Sequence, residues 1–192
     1  MPQKSNQTPI TITDLSPHTP AHLEQAARLL VTAFAAHWPN AWPDMDAARA
    51  EVADALQDDH ISRVAVNDRD NVIGWIGGQP AYSHGWELHP LVVDAAWQGQ
   101  GIGRALVADL ETQVKARGGL VLYLGSDDED KMTSLAGADL LAPDPWPHIA
   151  RIRNLRRHPY EFYQKLGFTI VGVIPDANGP GKPDILMAKR IG

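Results

Sequence analysis

LHPLVVDAAWQGQGIGRALVADLETQVKARGG, residues Leu88 to Gly119, decides the fold of this chain. It reads as a strand, a glycine-rich turn and an amphipathic helix that starts on those glycines. Ile102, Leu106, Leu110 and Val114 recur at helical spacing, joined by Ala105 and Val107, so one helical face is apolar. Lys115 and Arg117 place positive charge near the negative end of the helix, and Gly118-Gly119 stop it.

The turn is Gln98-Gly99-Gln100-Gly101-Ile102-Gly103, followed by Arg104. Glycines let backbone N–H groups approach a ligand without Cβ obstruction. The first N–H groups of a helix lack internal partners and sit at the positive end of its dipole, so together they suit a phosphate or pyrophosphate. A lone glycine cluster would more often be a flexible loop. Two familiar phosphate motifs are excluded: the dinucleotide fingerprint needs glycine where Arg104 stands, and Walker A needs a Gly-Lys-Ser/Thr that is absent.

The chain has 192 residues, 44% hydrophobic and 21% charged, which is ordinary for one globular domain with a real core. The expected layout is a disordered polar tail over residues 1–8 and a single domain over 9–192. With no cysteine, disulfides, thiolate metal sites and an acyl-cysteine intermediate are excluded. Net charge is −6 without a basic block, which argues against nucleic acid; an acidic chain attracts cationic partners, but on charge alone mild acidity more often just aids solubility. No apolar run approaches the roughly 20 residues of a membrane span, and the N-terminus lacks the apolar core of a signal peptide. The expectation is a cytoplasmic protein with no membrane partner.

Along the chain, Ile10 to Leu15 reads as a short strand. Thr19-Pro20 reads as a cap and first turn of a helix with Leu23, Ala26, Ala27, Leu30 and Phe34 on one face. Trp38-Pro39 and Trp42-Pro43 follow, in a rigid loop whose rings stack on a sugar, cover a cleft or simply pack on the core. A second helix is predicted from about Asp46 to Gln57, then a hairpin of Ile61–Val66 and Val72–Gly77 around Asn67-Asp-Arg-Asp-Asn71. On the strand Trp86–Val93, alternation puts Glu87, His89, Leu91 and Val93 on one side. Pro90 cannot donate a ladder hydrogen bond, so the strand is at an edge, a bulge or a splay.

Leu120–Gly125 reads as a buried strand parallel to it, with the helix as crossover. Ser126-Asp-Asp-Glu-Asp130 is then either a solvated loop or the mouth of a cation site. Pro143, Pro145 and Pro147 argue against a regular element in 132–150, where Trp146 is a candidate cover. A helix opened by Pro159 and closed by Gly167, then strands Phe168–Ile174 and Asp184–Arg190, complete the chain. The order predicts an α/β (mixed α+β) fold with a central mixed sheet flanked by helices.

The pattern Gln98-x-x-Gly101-x-Gly103, set between strand and helix, resembles the acetyl-CoA loop of the GCN5-related N-acetyltransferase (GNAT) superfamily. The segments WELHPLVV, GGLVLYLGSDD, NLRRHPYEFYQKLG and VGVIPDANGPGKPDILMAK are similar to the small, chromosomally encoded aminoglycoside 6′-N-acetyltransferases. The likeness covers most of the chain from Ile61 onward. The chain departs from that group in a longer N-terminus and a longer loop between Trp38 and the second helix.

The resemblance implies a sheet splayed between the strands at about 86–93 and 120–125. It implies direct acetyl transfer from acetyl-CoA, as cosubstrate and without metal, to a primary amine of a cationic small molecule, foremost the 6′-amine of aminoglycosides, and a homodimer; the alternatives are a polyamine or protein amine as acceptor, or a low-turnover protein that binds acetyl-CoA or the antibiotic. The cofactor residues would be the backbones of Leu91, Val92 and Val93, the loop Gln98, Gly99, Gln100, Gly101, Ile102, Gly103 and Arg104, and Asn154. Leu91 would polarise the thioester carbonyl, and Tyr163 would protonate the departing thiolate; its alternative is core packing. Glu87 would take the amine's proton, its alternative being a surface ion pair. Trp38, His89, Asp127, Asp128 and Asp130 would contact substrate, Asp130 foremost. For His89 a structural role competes, and Glu87-x-His89 matches no standard zinc spacing.

Overall fold

The structure, a computed structural model, describes residues 9–192. The tail expected over residues 1–8 lies outside the described residues. In chain order the elements are β1 (Thr11–Asp14), α1 (Pro20–Phe34), α2 (Met45–Asp54), β2 (Ile61–Val66), β3 (Val72–Pro80), β4 (Gly85–Val93), α3 (Ile102–Ala116), β5 (Val121–Asp127), α4 (Trp146–Ala150), α5 (Tyr160–Lys165), β6 (Thr169–Ile174) and β7 (Asp184–Arg190). The strands follow the order β1-β2-β3-β4-β5-β7-β6. β4 and β5 are parallel, while β1–β2, β2–β3, β5–β7 and β6–β7 are antiparallel. The expected mixed sheet flanked by helices is present. Two compact units emerge, one running to Pro80 and including Leu88–Arg117, the other made of Ala81–Glu87 and Gly118–Gly192.

In the first unit, α1 starts at Pro20, whose fixed φ and missing N–H suit a first turn. The Thr19 hydroxyl does not cap it but donates to the Ser16 carbonyl. α2 is capped by Asp44, whose carboxylate accepts from the Asp46 and Ala47 N–H groups at 3.0 and 2.9 Å. This places its start at Met45, and it ends at Asp54, short of the expected Gln57. Leu29, Leu30, Val52, Val64, Trp75 and Val92 share one core cluster. Trp75 is fully buried, and its indole N–H donates to Ser62 Oγ at 2.8 Å, which removes the cost of hiding a donor.

α3 lies over β2 and β3. Gly74 sits beneath Leu106 and Gly78 beneath Leu110, so two missing side chains let the helix approach. Arg63 on β2 reaches Asp109 on α3 at 2.7 Å and also pairs with Asp14.

β4 alternates as predicted. Trp86, Leu88, Pro90 and Val92 are buried, while Glu87, His89, Leu91 and Val93 are partly or largely exposed. The His89–Pro90 peptide is cis. A Cβ on Gly77 would overlap the His89 carbonyl oxygen and lie 3.2 Å from Pro90 Cδ. Only Gly85, Trp86 and Glu87 pair with β5, opposite Val121, Leu122 and Tyr123. The parallel ladder stops there.

The second unit corrects two expectations. β5 is not buried throughout its apolar run: Leu122 and Leu124 are buried, but Leu120 and Val121 are 50% and 37% exposed. One face of β5 packs inward, and the other carries Tyr123, Gly125 and Asp127 outward. Residues 132–150 do contain a regular element, the short α4, because Pro147 falls in its first turn where no N–H is needed. Trp146, the candidate cover, is 62% exposed. Pro159 immediately precedes α5 and is not its first residue, and Gly167 closes α5 at φ +92°. β7, last in the chain, lies between β5 and β6.

Gly77→Ala forces β3 and β4 apart at His89 and should cost about 2–3 kcal/mol. Gly78→Ala meets only the tip of Leu110, which can rotate, and should cost about 1 kcal/mol or less. Urea unfolding of the two variants checks the order; equal costs would remove the backbone contact from its place in holding β4.

Candidate active site

The turn between β4 and α3 is braced by its own residues. Asp94 donates its N–H to the Ile73 carbonyl and accepts from Ala96 N–H at 2.8 Å, closing a single 3-10 turn, Ala95–Trp97. The Gln98 amide donates to the Val93 carbonyl at 3.1 Å, and the Gln100 amide to the Ala96 carbonyl at 3.3 Å. Both side chains thus fasten the loop. Gly99 and Gly101 adopt φ of +75° and +87°, conformations that favour glycine. A Cβ on either would meet nothing within 4 Å, so the space above them is open.

Gly101 forms the helix cap, and its carbonyl accepts from Ala105 N–H. The N–H groups of Ile102, Gly103 and Arg104 precede that first turn and have no partner inside the helix. The Ile102 side chain is buried against Gly74 and anchors the start of α3. This arrangement suits a phosphate or pyrophosphate group. The Val92 side chain points into the core.

The same unit carries an aromatic cluster. Phe34 meets Trp38 at 5.5 Å and Trp42, edge-on, at 4.6 Å between centroids. Trp42 packs at the margin of the core, whereas Trp38 stands outside that cluster. The His89 ring lies 5.8 Å from that of Trp42. Glu51 on α2 accepts from Trp42 Nε1 at 3.3 Å and approaches His89 Nε2 at 3.3 Å. The imidazole beside it, opposed by burial and helped by the indole N–H, holds the Glu51 carboxyl below its usual range.

In the second unit, Glu87 is half-buried and accepts from the Tyr123 hydroxyl at 3.3 Å. Burial, then the charge of Glu87, push the Tyr123 phenol up to about 12, so it stays a donor. Asp127 and Asp184 are register partners on β5 and β7, and Asn178 donates to Asp127. Asp184 lies over Gly125, where a Cβ would meet its Oδ2 at 2.5 Å. Its Oδ1 is buried without a hydrogen bond. Burial, then repulsion from Asp127, raise its carboxyl to about 6.

The acids after β5 divide sharply. Asp128 is fully buried and accepts from Met132 N–H, Thr133 N–H and Thr133 Oγ1, the last two at 2.9 and 2.7 Å. It organises the loop and presents no oxygen to solvent, contrary to the expected substrate contact. Asp130 is engaged by Arg156, 3.5 Å from its Oδ1. Asn154 exchanges two hydrogen bonds with the backbone of His158, at 2.9 and 2.7 Å, so its amide shapes the turn ahead of α5. His158 Nε2 donates to the Asp127 carbonyl, and burial lowers its pKa. Tyr163 packs between Phe162 and Phe168, and burial drives its phenol upward, keeping it protonated.

Sequence reasoning did not single out Tyr123, Asp184 or Glu51. Tyr123 was accessible through alternation along β5, which puts it on the face of Asp127. The other two depend on register and helix packing, which leave no local mark. Among the described residues, no group of three or more His, Cys, Asp or Glu side chains is placed to hold a metal ion, and no helix is long and apolar enough to cross a membrane.

Asp184 titrates near 6 in the fold against 3.8 for the free group. The folded chain therefore binds the extra proton between those values, and stability falls as pH rises through that window. Asp184→Asn should raise the melting temperature at pH 7.5 and leave it nearly unchanged at pH 4. A thermal scan at the two pH values decides it, and an equal shift at both would reject a titrating Asp184.

The acetyltransferase (GNAT) family model matches residues 23–135. An aminoglycoside 6′-N-acetyltransferase solved with coenzyme A is 42% identical, aligned over 95% of this chain and 97% of that one, with a TM-score of 0.85. The aminoglycoside 6′-N-acetyltransferase from Enterococcus faecium has the same identity and coverage and a TM-score of 0.83. An aminoglycoside 6′-acetyltransferase type Ii is 36% identical over the same shares, at 0.70. No curated protein matches the sequence. A family match across more than half of the residues, together with 42% identity over nearly the full length of solved acetyltransferases, establishes that this chain belongs to the GNAT family of acetyltransferases.

Proposed function

We propose that this chain transfers the acetyl group of acetyl-CoA to the 6′-amine of aminoglycosides, and that antibiotic resistance is the resulting role. The observation that carries this reading is the Glu87–Tyr123 pair on a face shared with Asp127 and Asp184, an anionic surface suited to a polyammonium substrate. The identity to two aminoglycoside 6′-N-acetyltransferases supports the substrate class. Residues 9–192 form one acetyltransferase domain, working in the cytoplasm where acetyl-CoA is made. β6 is a sheet edge with Val171 and Ile174 exposed, which favours burial in a homodimer.

In this reading the loop from Gln98 to Arg104 holds the pyrophosphate on Gly99, Gly101 and the open N–H groups of α3. The backbones of Leu91, Val92 and Val93 line the pantetheine arm, and the Leu91 N–H polarises the thioester carbonyl. An alkyl ammonium ordinarily titrates at about 10.4 and cannot attack until it loses a proton. Glu87 accepts that proton, directly or through water. The amine nitrogen bonds to the carbonyl carbon, the C–S bond breaks, Tyr163 delivers its proton to the departing thiolate, and the second proton shed by the acylated nitrogen restores Tyr163 through solvent. His89, Trp38, Asp127 and Asp130 contact the substrate, and Asn154 acts on the cofactor arm through the turn it shapes.

Free-thiol release is measured first, with paired aminoglycosides bearing a 6′-amine or a 6′-hydroxyl. Turnover is expected with the amine members alone; turnover with both, or with neither, rejects the 6′ assignment. Glu87→Gln should lower kcat/KM by about 100-fold or more, most at low pH, and Tyr163→Phe should lower kcat while acetyl-CoA still binds. Losses under about threefold would return either residue to a packing role.

A further inference from the structure

We propose that Glu51 is a positioning residue: it fixes Trp42 and His89 as a wall that receives a sugar or aminocyclitol ring, and so sets which amines are accepted. This rests on the acetyltransferase reading above. The three residues come from three elements, the loop before α2, α2 itself and the outward face of β4.

One carboxylate spans the two rings. Oε2 takes the indole N–H of Trp42, and Oε1 takes His89 Nε2, each at 3.3 Å. The Glu51 side chain is only 23% exposed, so its charge is tolerable because both oxygens are engaged. Moving either ring would strip one oxygen of its partner. Trp42 is further held edge-on by Phe34 at 4.6 Å, and Asp44, two residues later, pins the end of its loop to α2.

His89 remains 44% exposed, two residues from Glu87 on the same outward face of β4. A flat indole joined to an imidazole edge offers an apolar surface beside a hydrogen-bonding rim. That chemistry suits the C–H face and hydroxyls of a saturated ring, and it offers a linear amine little.

The test compares Glu51→Ala and Glu51→Gln with wild type. The substrates are a 6′-amino aminoglycoside and a linear alkyl diamine. Loss of one such hydrogen-bonded anchor should raise KM for the ring-bearing amine about fivefold or more, with kcat and the KM for acetyl-CoA much less affected. The diamine should lose far less. Glu51→Gln, which preserves the shape and one acceptor, should recover most of the loss. In a Trp42→Phe/His89→Ala background, Glu51→Ala should add nothing, because it acts through those rings.

Equal losses for both amines, a kcat effect alone, or additive effects in the double background would overturn the proposal. Aminoglycoside binding followed by tryptophan fluorescence, without acetyl-CoA, separates the two readings. Wild-type binding without turnover rejects the catalytic assignment, while the wall is still judged by whether Glu51→Ala weakens binding. Neither binding nor turnover rejects both.

Discussion

A carbonyl oxygen occupying the space of a missing methyl group governs the placement of β4. Because Gly77 has no Cβ, the His89 carbonyl and the Pro90 ring can press against β3. Hard-core repulsion rises so steeply that no ordinary side chain fits there without moving a backbone. From this contact follows the inward burial of Pro90 and Val92 and the outward display of His89 and Leu91. The braced turn continues from Val93, so the N–H groups at the start of α3 inherit their placement from the same strand.

The outward face of β5 and β7 shows the opposite tendency. Asp127 and Asp184 face one another across a register pair, and Glu87 contributes its field nearby. Packing forces favour filling such a surface with apolar groups. Instead a carboxyl oxygen is buried without a donor, and its proton affinity rises. Burial and the neighbouring acid both disfavour the charged form, and the proton is held more tightly as a result.

Much of this was legible in the residues. Alternation on β4, the crossover helix and the closing glycines all rest on short-range periodicity, and each appeared where expected. The buried reading of β5 failed because an apolar run cannot reveal that one of its faces is left open. Asp128 and Asp130 are neighbours in a run of acids, yet one is sealed beneath Thr133 and the other is gripped by Arg156. Asn154 commits its amide to His158, a choice decided by turn geometry. Glu51 and Asp184 acquire their partners only when distant segments meet, and composition carries no trace of that.

The strict two-residue rhythm of β4 also restricts how the chain can change over generations. Inserting or deleting a single residue there would exchange the faces, sending Glu87 and His89 inward and Leu88 and Pro90 out. Lineages can therefore exchange residues along this strand one at a time, but cannot shift its frame and keep the fold. Length variation must be absorbed elsewhere, in the loops that join the elements.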